Sequence, residues 1–449
     1  MRSDTIVAIG TAAGESAIAL IRVSGPDASS CLANVWRGID PASARPRTLY
    51  LGIIAGADGT ALDQVLCVRF PKPFSYTGED MVEIHCHGGT LVTRAVFDRL
   101  LEAGCRPAGP GEFTQRAFLN GKMDLTQAEA VMDLIQARTR LALRAANDQL
   151  AGGLRDTVEE IRTGLVSLLA HIEAWIDFPE EDIAPDTLAE LAERTRRLIA
   201  SIDTLLESAE KGRVLREGAR VVICGEANAG KSSLLNLLLG FDRAIVSESP
   251  GTTRDTIEEV INAGGIPLRL VDTAGLRDAS DPVEQEGMRR AAAEILRADV
   301  IIEVLDGSIA PEASTSPLPR GFRGHHLRLL NKSDLGLHPA HAKDREAFPF
   351  SCLRKEGIGA LQAALHQHLL SGDVPGAGLL LAINARHQHC LQRASRALDS
   401  ALEGMRQGLA WELIALECRE ALEALGEVTG KTDIEEILGE IFAKFCIGK

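Results

Sequence analysis

Residues 221–240 read Val221-Val-Ile-Cys-Gly225-Glu-Ala-Asn-Ala-Gly230-Lys231-Ser232-Ser-Leu-Leu-Asn-Leu-Leu-Leu-Gly240. An apolar run of strand length leads into a complete G-x4-G-K-S, which opens a leucine-rich helix. This is the context in which a glycine-rich loop cradles phosphate. Its backbone N–H groups and the helix dipole both favour negative charge. Lys231 is placed to reach the β- and γ-phosphates, the Ser232 hydroxyl to ligate Mg²⁺, and Asn228, Ala229, Gly230 and Ser233 to line the same loop.

Three further motifs follow in order. Asp272-Thr273-Ala274-Gly275 ends the strand-like run 268–271, and Asn331-Lys332-Ser333-Asp334 ends the run 327–330. The Asp334 carboxylate suits the paired N–H donors on guanine's Watson–Crick edge. A base without that pair would leave a carboxylate buried and unpaired, so the motif sets base choice. Ser351-Cys352 stands where backbone contact to the base is expected. Together the four imply a GTP-hydrolysing domain. Leu276 follows the second motif and cannot orient a water, so another polar group must do so. Gly251-Thr252-Thr253-Arg254-Asp255 lies between the first two motifs, and Thr253 is the better placed of its threonines to complete the Mg²⁺ shell.

Around this core the texture of the chain changes. Residues 1–118 mix short strand-like runs (5–9, 17–23, 64–70, 81–85) with helical stretches, an α+β pattern. Residues 125–176 and 187–211 carry apolar residues at helical spacing, and Gly152–Gly153 interrupt the first stretch. From 220 to 370 strands alternate with helices, as in a parallel α/β sheet. Helical texture returns after the stretch 371–378, a plausible linker. The expected organisation is an α+β domain (1–118), a helical domain in two segments (119–215 and 373–449), and an α/β domain (216–372) inserted between them.

Composition bounds the function. The 449 residues hold 48 lysines and arginines against 63 aspartates and glutamates, a formal charge of −15. That balance excludes sequence-blind coating of nucleic acid but not a local basic surface. Charge is uneven: residues 1–118 hold 11 basic and 12 acidic side chains, whereas 122–216 hold 12 and 18. Nine scattered cysteines fit reduced thiols. The N-terminus lacks the features of a signal peptide and no apolar run reaches the length of a membrane span, so a cytoplasmic protein without membrane contact is expected. The run His85-Cys86-His87 has no second Cys/His pair at ligand spacing, which disfavours zinc. Arg194, Arg196, Arg197, Lys211, Arg213 and Arg216 form either a phosphate-contacting cluster or a solvated helix face.

Several stretches together resemble the MnmE (TrmE) family of tRNA-modifying GTPases over essentially the whole chain. They are Asp4-Thr-Ile-Val-Ala, Ile21-Arg-Val-Ser-Gly-Pro26, Tyr76-Thr-Gly-Glu-Asp80 and Pro110-Gly-Glu-Phe-Thr-Gln-Arg-Ala-Phe-Leu-Asn120. Asp124-Leu-Thr-Gln-Ala-Glu-Ala130, Ile176-Asp-Phe-Pro-Glu-Glu-Asp182, Gly251-Thr-Thr-Arg-Asp255 and Phe445-Cys-Ile-Gly-Lys449 complete the set. The resemblance implies potassium-stimulated hydrolysis, with Asn228, Ser247, Ser249 and Thr252 around K⁺ and Glu284 as the water-orienting acid, Glu286 being its neighbour and rival. It also implies an N-terminal domain that dimerises and binds a tetrahydrofolate derivative, 5-formyl-tetrahydrofolate-like, through Arg22, Glu83, Lys122 and Lys449. A homodimer would join an FAD-dependent partner, known in the family as MnmG or GidA, in a heterotetramer. The pair would add an aminomethyl or carboxymethylaminomethyl group to C5 of the tRNA wobble uridine. The alternative is a regulatory GTPase of ribosome assembly with no part in base chemistry, and a structural dimer with a degenerate phosphate loop is a third reading. The family implies Cys446 near the modification site; a plain C-terminal anchor is the other reading.

Overall fold

A computed structural model describes residues 4–177, 188–226, 228–240, 258–271, 295–311, 318, 321–344, 346–370, 381–431, 435–443 and 445–448. The chain forms two compact units, residues 1–132 with 426–449, and residues 133–425.

The first unit is built on strands β1 (Ile6–Ile9), β2 (Ser16–Ser24), β3 (Trp36–Arg37), β4 (Tyr50–Ala55), β5 (Ala61–Phe70), β6 (Met81–Gly88) and β7 (Arg106–Pro107). They lie in the order β3-β4-β5-β6-β2-β1-β7, and every pairing is antiparallel except that of β1 with β7. Alternation along the central strands decides which face is covered. Ile21, Val23, Val82, Ile84, Val65 and Ile54 point one way and are buried with Val96 and Leu100 of helix Thr90–Glu102. Each such burial stabilises by about 1.5–3 kcal/mol. The expected α+β pattern is present. β4 was not legible because Leu51 is 62% exposed and its apolar residues do not alternate cleanly.

One buried cation ties this unit together. Arg116 on helix Glu112–Leu119 keeps only 9% of its side chain exposed. Its guanidinium donates to Asp4 Oδ1 at 2.7 Å, Glu112 Oε1 at 3.0 Å and Glu79 Oε2 at 3.2 Å. Arg106 bridges the same Asp4 and Glu112. Hydrogen bonding from Arg106 holds the Asp4 carboxyl below its ordinary range. Burial pushes the Glu112 carboxyl upward, but Arg106, the Gly109 N–H and Arg116 together bring it below. The chain's last described residues dock here too: Gly111 N–H donates to Cys446 O at 3.4 Å, and Ile447 bridges Pro110.

In the second unit, β8 (Ala219–Gly225), β9 (Glu258–Ala263), β10 (Ile266–Val271), β11 (Val300–Asp306), β12 (His325–Asn331) and β13 (Ala347–Pro349) form a sheet of order β13-β12-β11-β8-β10-β9. All pairings are parallel but that of β9 with β10. The expected parallel α/β sheet is therefore present, and its four sequence-legible strands are β8, β10, β11 and β12. β9 and β13 lie at the edges, where a short apolar pattern is weak. The chain runs from β8 to one side of the sheet and later to the other, so the order reverses at β8. In such sheets ligands bind in the crevice beyond the strands' carboxyl ends at that point.

The helical texture is realised as Leu125–Gln136, Arg140–Leu150, Gly153–Asp177, Leu188–Glu217, Ala385–Gln407 and Trp411–Thr429. One break was not anticipated: Thr139 starts a helix by accepting the Ala142 N–H at 3.2 Å. Helix Leu188–Glu217 runs into β8 through Gly218, and helix Ala385–Gln407 returns alongside it. Against the segment leading into helix Ala385–Gln407, a Cβ on Gly212 would lie 2.8 Å from the Ile383 nitrogen, so only glycine fits. Among the described residues no helix is long and apolar enough to cross a membrane.

Removing the buried guanidinium would leave three carboxylates without their shared partner. Arg116→Ala is expected to destabilise the first unit by about 3–5 kcal/mol, read by chemical denaturation of the full chain. The two lowered carboxyls give the pH dependence its sign: their contribution is present above the ordinary carboxylate range and is lost as pH falls through the depressed values.

Candidate functional site

The carboxyl end of β8 is shaped by residues that must lack a side chain. Gly225 has φ +133°, and a Cβ there would lie 2.1 Å from the Val304 carbonyl oxygen of β11. Gly230 has φ +106°, and its Cβ would lie 2.1 Å from Asn331 Nδ2. Between them Asn228 takes a left-handed φ of 60°, a conformation asparagine tolerates better than most side chains. Helix Lys231–Gly240 begins at once, with Leu234 and Leu238 in the sheet's core. Its first N–H groups have no intrahelical acceptor, which makes this end a ready anion site. The Lys231 ammonium donates to the carbonyls of Gly225, at 2.9 Å, and Glu226. Ser232 and Ser233 are exposed at the helix start.

Asn331, at the end of β12 and 3% exposed, joins this loop to the base-reading motifs. Its Nδ2 donates to Ala229 O at 2.7 Å and its Oδ1 accepts the Cys352 N–H at 3.1 Å. Lys332 takes a left-handed φ of 63° and its ammonium meets Asp306 Oδ2 at 2.5 Å. Burial raises the Asp306 carboxyl, but hydrogen bonds from Lys332 and Ser308 hold it below its ordinary range. Ser351, fully buried, donates its hydroxyl to Asp334 Oδ1 at 2.6 Å and accepts the Arg354 N–H at 3.1 Å. The arrangement fixes a carboxylate at the crevice rim while leaving acceptor capacity for a planar donor pair. Asp306 is a site residue that the sequence reading does not name; its signal is an acid at the end of an apolar run, as at Asp272.

Asp272, Thr273, Ala274, Gly275, Ser247, Ser249, Thr252, Thr253, Glu284 and Glu286 lie outside the described residues, as does Lys449.

In the first unit Arg22 of β2 and Glu83 of β6 are direct cross-strand partners, Nε to Oε1 at 2.8 Å, with 17% and 15% of their side chains exposed. The Arg22 guanidinium sits 5.5 Å from the centroid of the Tyr76 ring. Burial raises the Tyr76 phenol, whose hydroxyl pairs with Thr114 Oγ1 at 2.9 Å. Lys122 belongs to the same unit, and its ammonium donates to Pro73 O at 3.0 Å. His85 and His87 share one face of β6 while Cys86 is buried on the other. His87 pairs with Asp63, Nδ1 to Oδ1 at 2.7 Å, and no metal-holding cluster exists among the described residues. In the arginine cluster, Arg196 and Arg197 pair with Glu193, Arg213 with Glu210 and Asp299, and Arg216 with Glu217.

Comparison with known proteins gives the following. A family model described as "MnmE helical domain" matches residues 125–446, and one described as "GTP-binding protein TrmE N-terminus" matches 5–122. A protein of Akkermansia muciniphila named "tRNA modification GTPase MnmE" is 51% identical over 450 residues, covering 99% of each chain. One of the same name from Natranaerobius thermophilus is 43% identical over 460 residues, covering 100% of each. Among solved structures, a variant of Aquifex aeolicus Era bound to GDP and AlF4− is 24% identical, covers 40% of this chain and 66% of its own, and has a TM-score of 0.28.

The Asp334 geometry is testable by base exchange. Asp334→Asn is expected to weaken GTP binding about 10- to 100-fold, the cost of hydrogen bonds to a charged group, and to improve xanthosine triphosphate binding. Titration calorimetry showing unchanged GTP affinity would refute the role.

Proposed function

The chain belongs to the MnmE family of tRNA modification GTPases, and from that premise we propose that it hydrolyses GTP in the service of tRNA modification. The observation that supports this most is the Asn331 amide, which binds the phosphate loop to the base-reading loop and so makes one nucleotide site of two distant motifs.

In this reading the loop 228–233 holds the phosphates, with Lys231 turning its ammonium from backbone carbonyls to the β/γ-phosphates. Asn331, Lys332 and Asp334 hold the base; Ser247, Thr252, Thr253 and Asp272–Gly275 complete the nucleotide's surroundings. Ser232 and Thr253 hold Mg²⁺, and the exposed Ser232 hydroxyl at a helix N-terminus fits that task. Asn228, Ser247, Ser249 and Thr252 hold K⁺. Both ions supply positive charge to the phosphates when bound. Glu284 orients the attacking water.

The first unit's Arg22 and Glu83, with Lys122 and Lys449, are assigned to a tetrahydrofolate derivative, which supplies a one-carbon unit when bound. The Arg22–Glu83 pair fits a pterin edge: Arg22 fixes one Glu83 oxygen, and the other can accept from ring N–H groups. The chain acts as a cytoplasmic homodimer with an FAD-dependent partner, on C5 of the wobble uridine. Its working parts are residues 1–118, the inserted 216–372, and the helical 119–215 with 373–449.

Two measurements test the reading. Deletion of the gene should abolish a wobble-uridine modification, seen by mass spectrometry of tRNA nucleosides, and leave ribosome profiles normal. Altered ribosome profiles with intact tRNA would favour the assembly-factor alternative. GTP turnover should be at least severalfold faster in KCl than in NaCl at equal ionic strength; equal rates would remove the potassium assignment.

A further inference from the structure

Many lysines and arginines among the described residues are ion-paired, and a group on the first unit is not. On the first unit, Arg45, Arg47, Lys72 and Lys122 are all exposed, and among the described residues none takes part in an ion pair. Arg47 and Lys122 reach the segment of Phe74, whose 64% exposure is unusual for so large an apolar side chain. The Arg47 guanidinium lies 5.8 Å from the Phe74 ring centroid and donates to the Phe74 carbonyl at 3.1 Å. Lys122 donates to the adjacent Pro73 carbonyl at 3.0 Å, and Lys72 and Arg45 are chain neighbours of these groups. The turn is held firm beneath: Arg47 N–H donates to Arg69 O at 2.9 Å, Arg45 N–H to the Tyr50 hydroxyl at 3.1 Å, and Lys72 N–H to Asp80 Oδ1 at 3.2 Å. In a chain of net charge −15, unpaired cations on and beside an exposed ring are complementary to a polyanion that carries planar groups.

We propose that this patch is the first unit's contact surface for RNA, with an unpaired loop base stacked on Phe74 and flanking phosphates neutralised by Arg45, Arg47, Lys72 and Lys122. Every base has a π-face, so a single exposed aromatic ring accepts any unpaired base, while cations track the backbone. A fully paired helix offers no free base to stack, so the patch selects loops over duplexes. The inference rests on tRNA being the chain's substrate, and it names the place where that substrate touches the folate-assigned unit. Lys122 would then serve both ligands, as a residue at their shared edge.

The test uses the full chain and two labelled probes read by fluorescence anisotropy: a short RNA hairpin with an unpaired loop, and a duplex of equal length. The wild type should prefer the hairpin. Phe74→Ala should weaken hairpin binding about 5- to 150-fold and leave duplex binding little changed; Phe74→Trp should restore the hairpin affinity. Arg47→Ala with Lys72→Ala should flatten the slope of log affinity against log salt by about 1.4, two single-strand phosphates' worth. GTP turnover without RNA should be unaltered in all three. Equal hairpin binding by wild type and Phe74→Ala overturns the patch alone, whereas a wild type that binds neither probe overturns the tRNA reading as well. Loss of folate binding in Phe74→Ala with RNA binding intact, or a changed sedimentation mass, also overturns it, assigning the ring to the folate or to a second copy of the chain.

Discussion

The loops at the carboxyl end of the parallel sheet depend on a single buried amide. Asn331 must satisfy both ends of its side chain because it is almost wholly withdrawn from water, and an unmet buried amide would cost about 1–3 kcal/mol. It does so on two loops that are far apart in sequence, through the Ala229 carbonyl and the Cys352 N–H. The absence of a side chain at Gly230 is what lets the amide lie across the phosphate loop. The glycine loop after β8 and the loop at Cys352 are therefore positioned by one rigid element, the carboxyl end of β12, instead of drifting separately.

The first unit uses charge differently. There a guanidinium, Arg116, is enclosed by Asp4, Glu79 and Glu112, which come from the start of the chain, the loop before β6 and its own helix. Such an enclosed cation contributes little beyond what a hydrophobic replacement would, yet leaves a large penalty if any partner is lost. It fixes the loop 75–80 on which Tyr76 sits, and Tyr76 in turn faces Arg22. The Arg22–Glu83 pair is thus held by the sheet's register on one side and by an ion-paired loop on the other.

Legibility in the sequence followed distance along the chain. The glycine loop after β8, the motif Asn331–Asp334 and the main strands are readable because each is a contiguous pattern: an apolar run, then glycines or polar residues at its end. Edge strands β3, β9 and β13 were not, since a strand with one neighbour needs no strong apolar alternation. The Thr139 cap was invisible within a longer helical periodicity that continues through it. Asn331's second role, the Asp306–Lys332 pair and the Arg22–Glu83 pairing each join residues 21 or more positions apart, and only tertiary structure supplies such partners. For the same reason the sequence could count arginines but not say which were neutralised. The six basic residues from Arg194 to Arg216 read in the sequence either as a phosphate surface or as a solvated helix face, and glutamates from their own helix pair with four of them.

The close approach at Gly212 has a consequence in time. Helix Leu188–Glu217 packs on helix Gly153–Asp177, which precedes it, and on helix Ala385–Gln407, and the whole parallel sheet is encoded before the latter. At a synthesis rate of roughly 5–20 residues per second, helix Leu188–Glu217 waits on the order of ten to thirty seconds before helix Ala385–Gln407 exists. During that interval the face that helix Ala385–Gln407 will cover is open, and the sheet has ample time to fold first. Order of birth thus favours a helical pair that closes last, around a sheet already made.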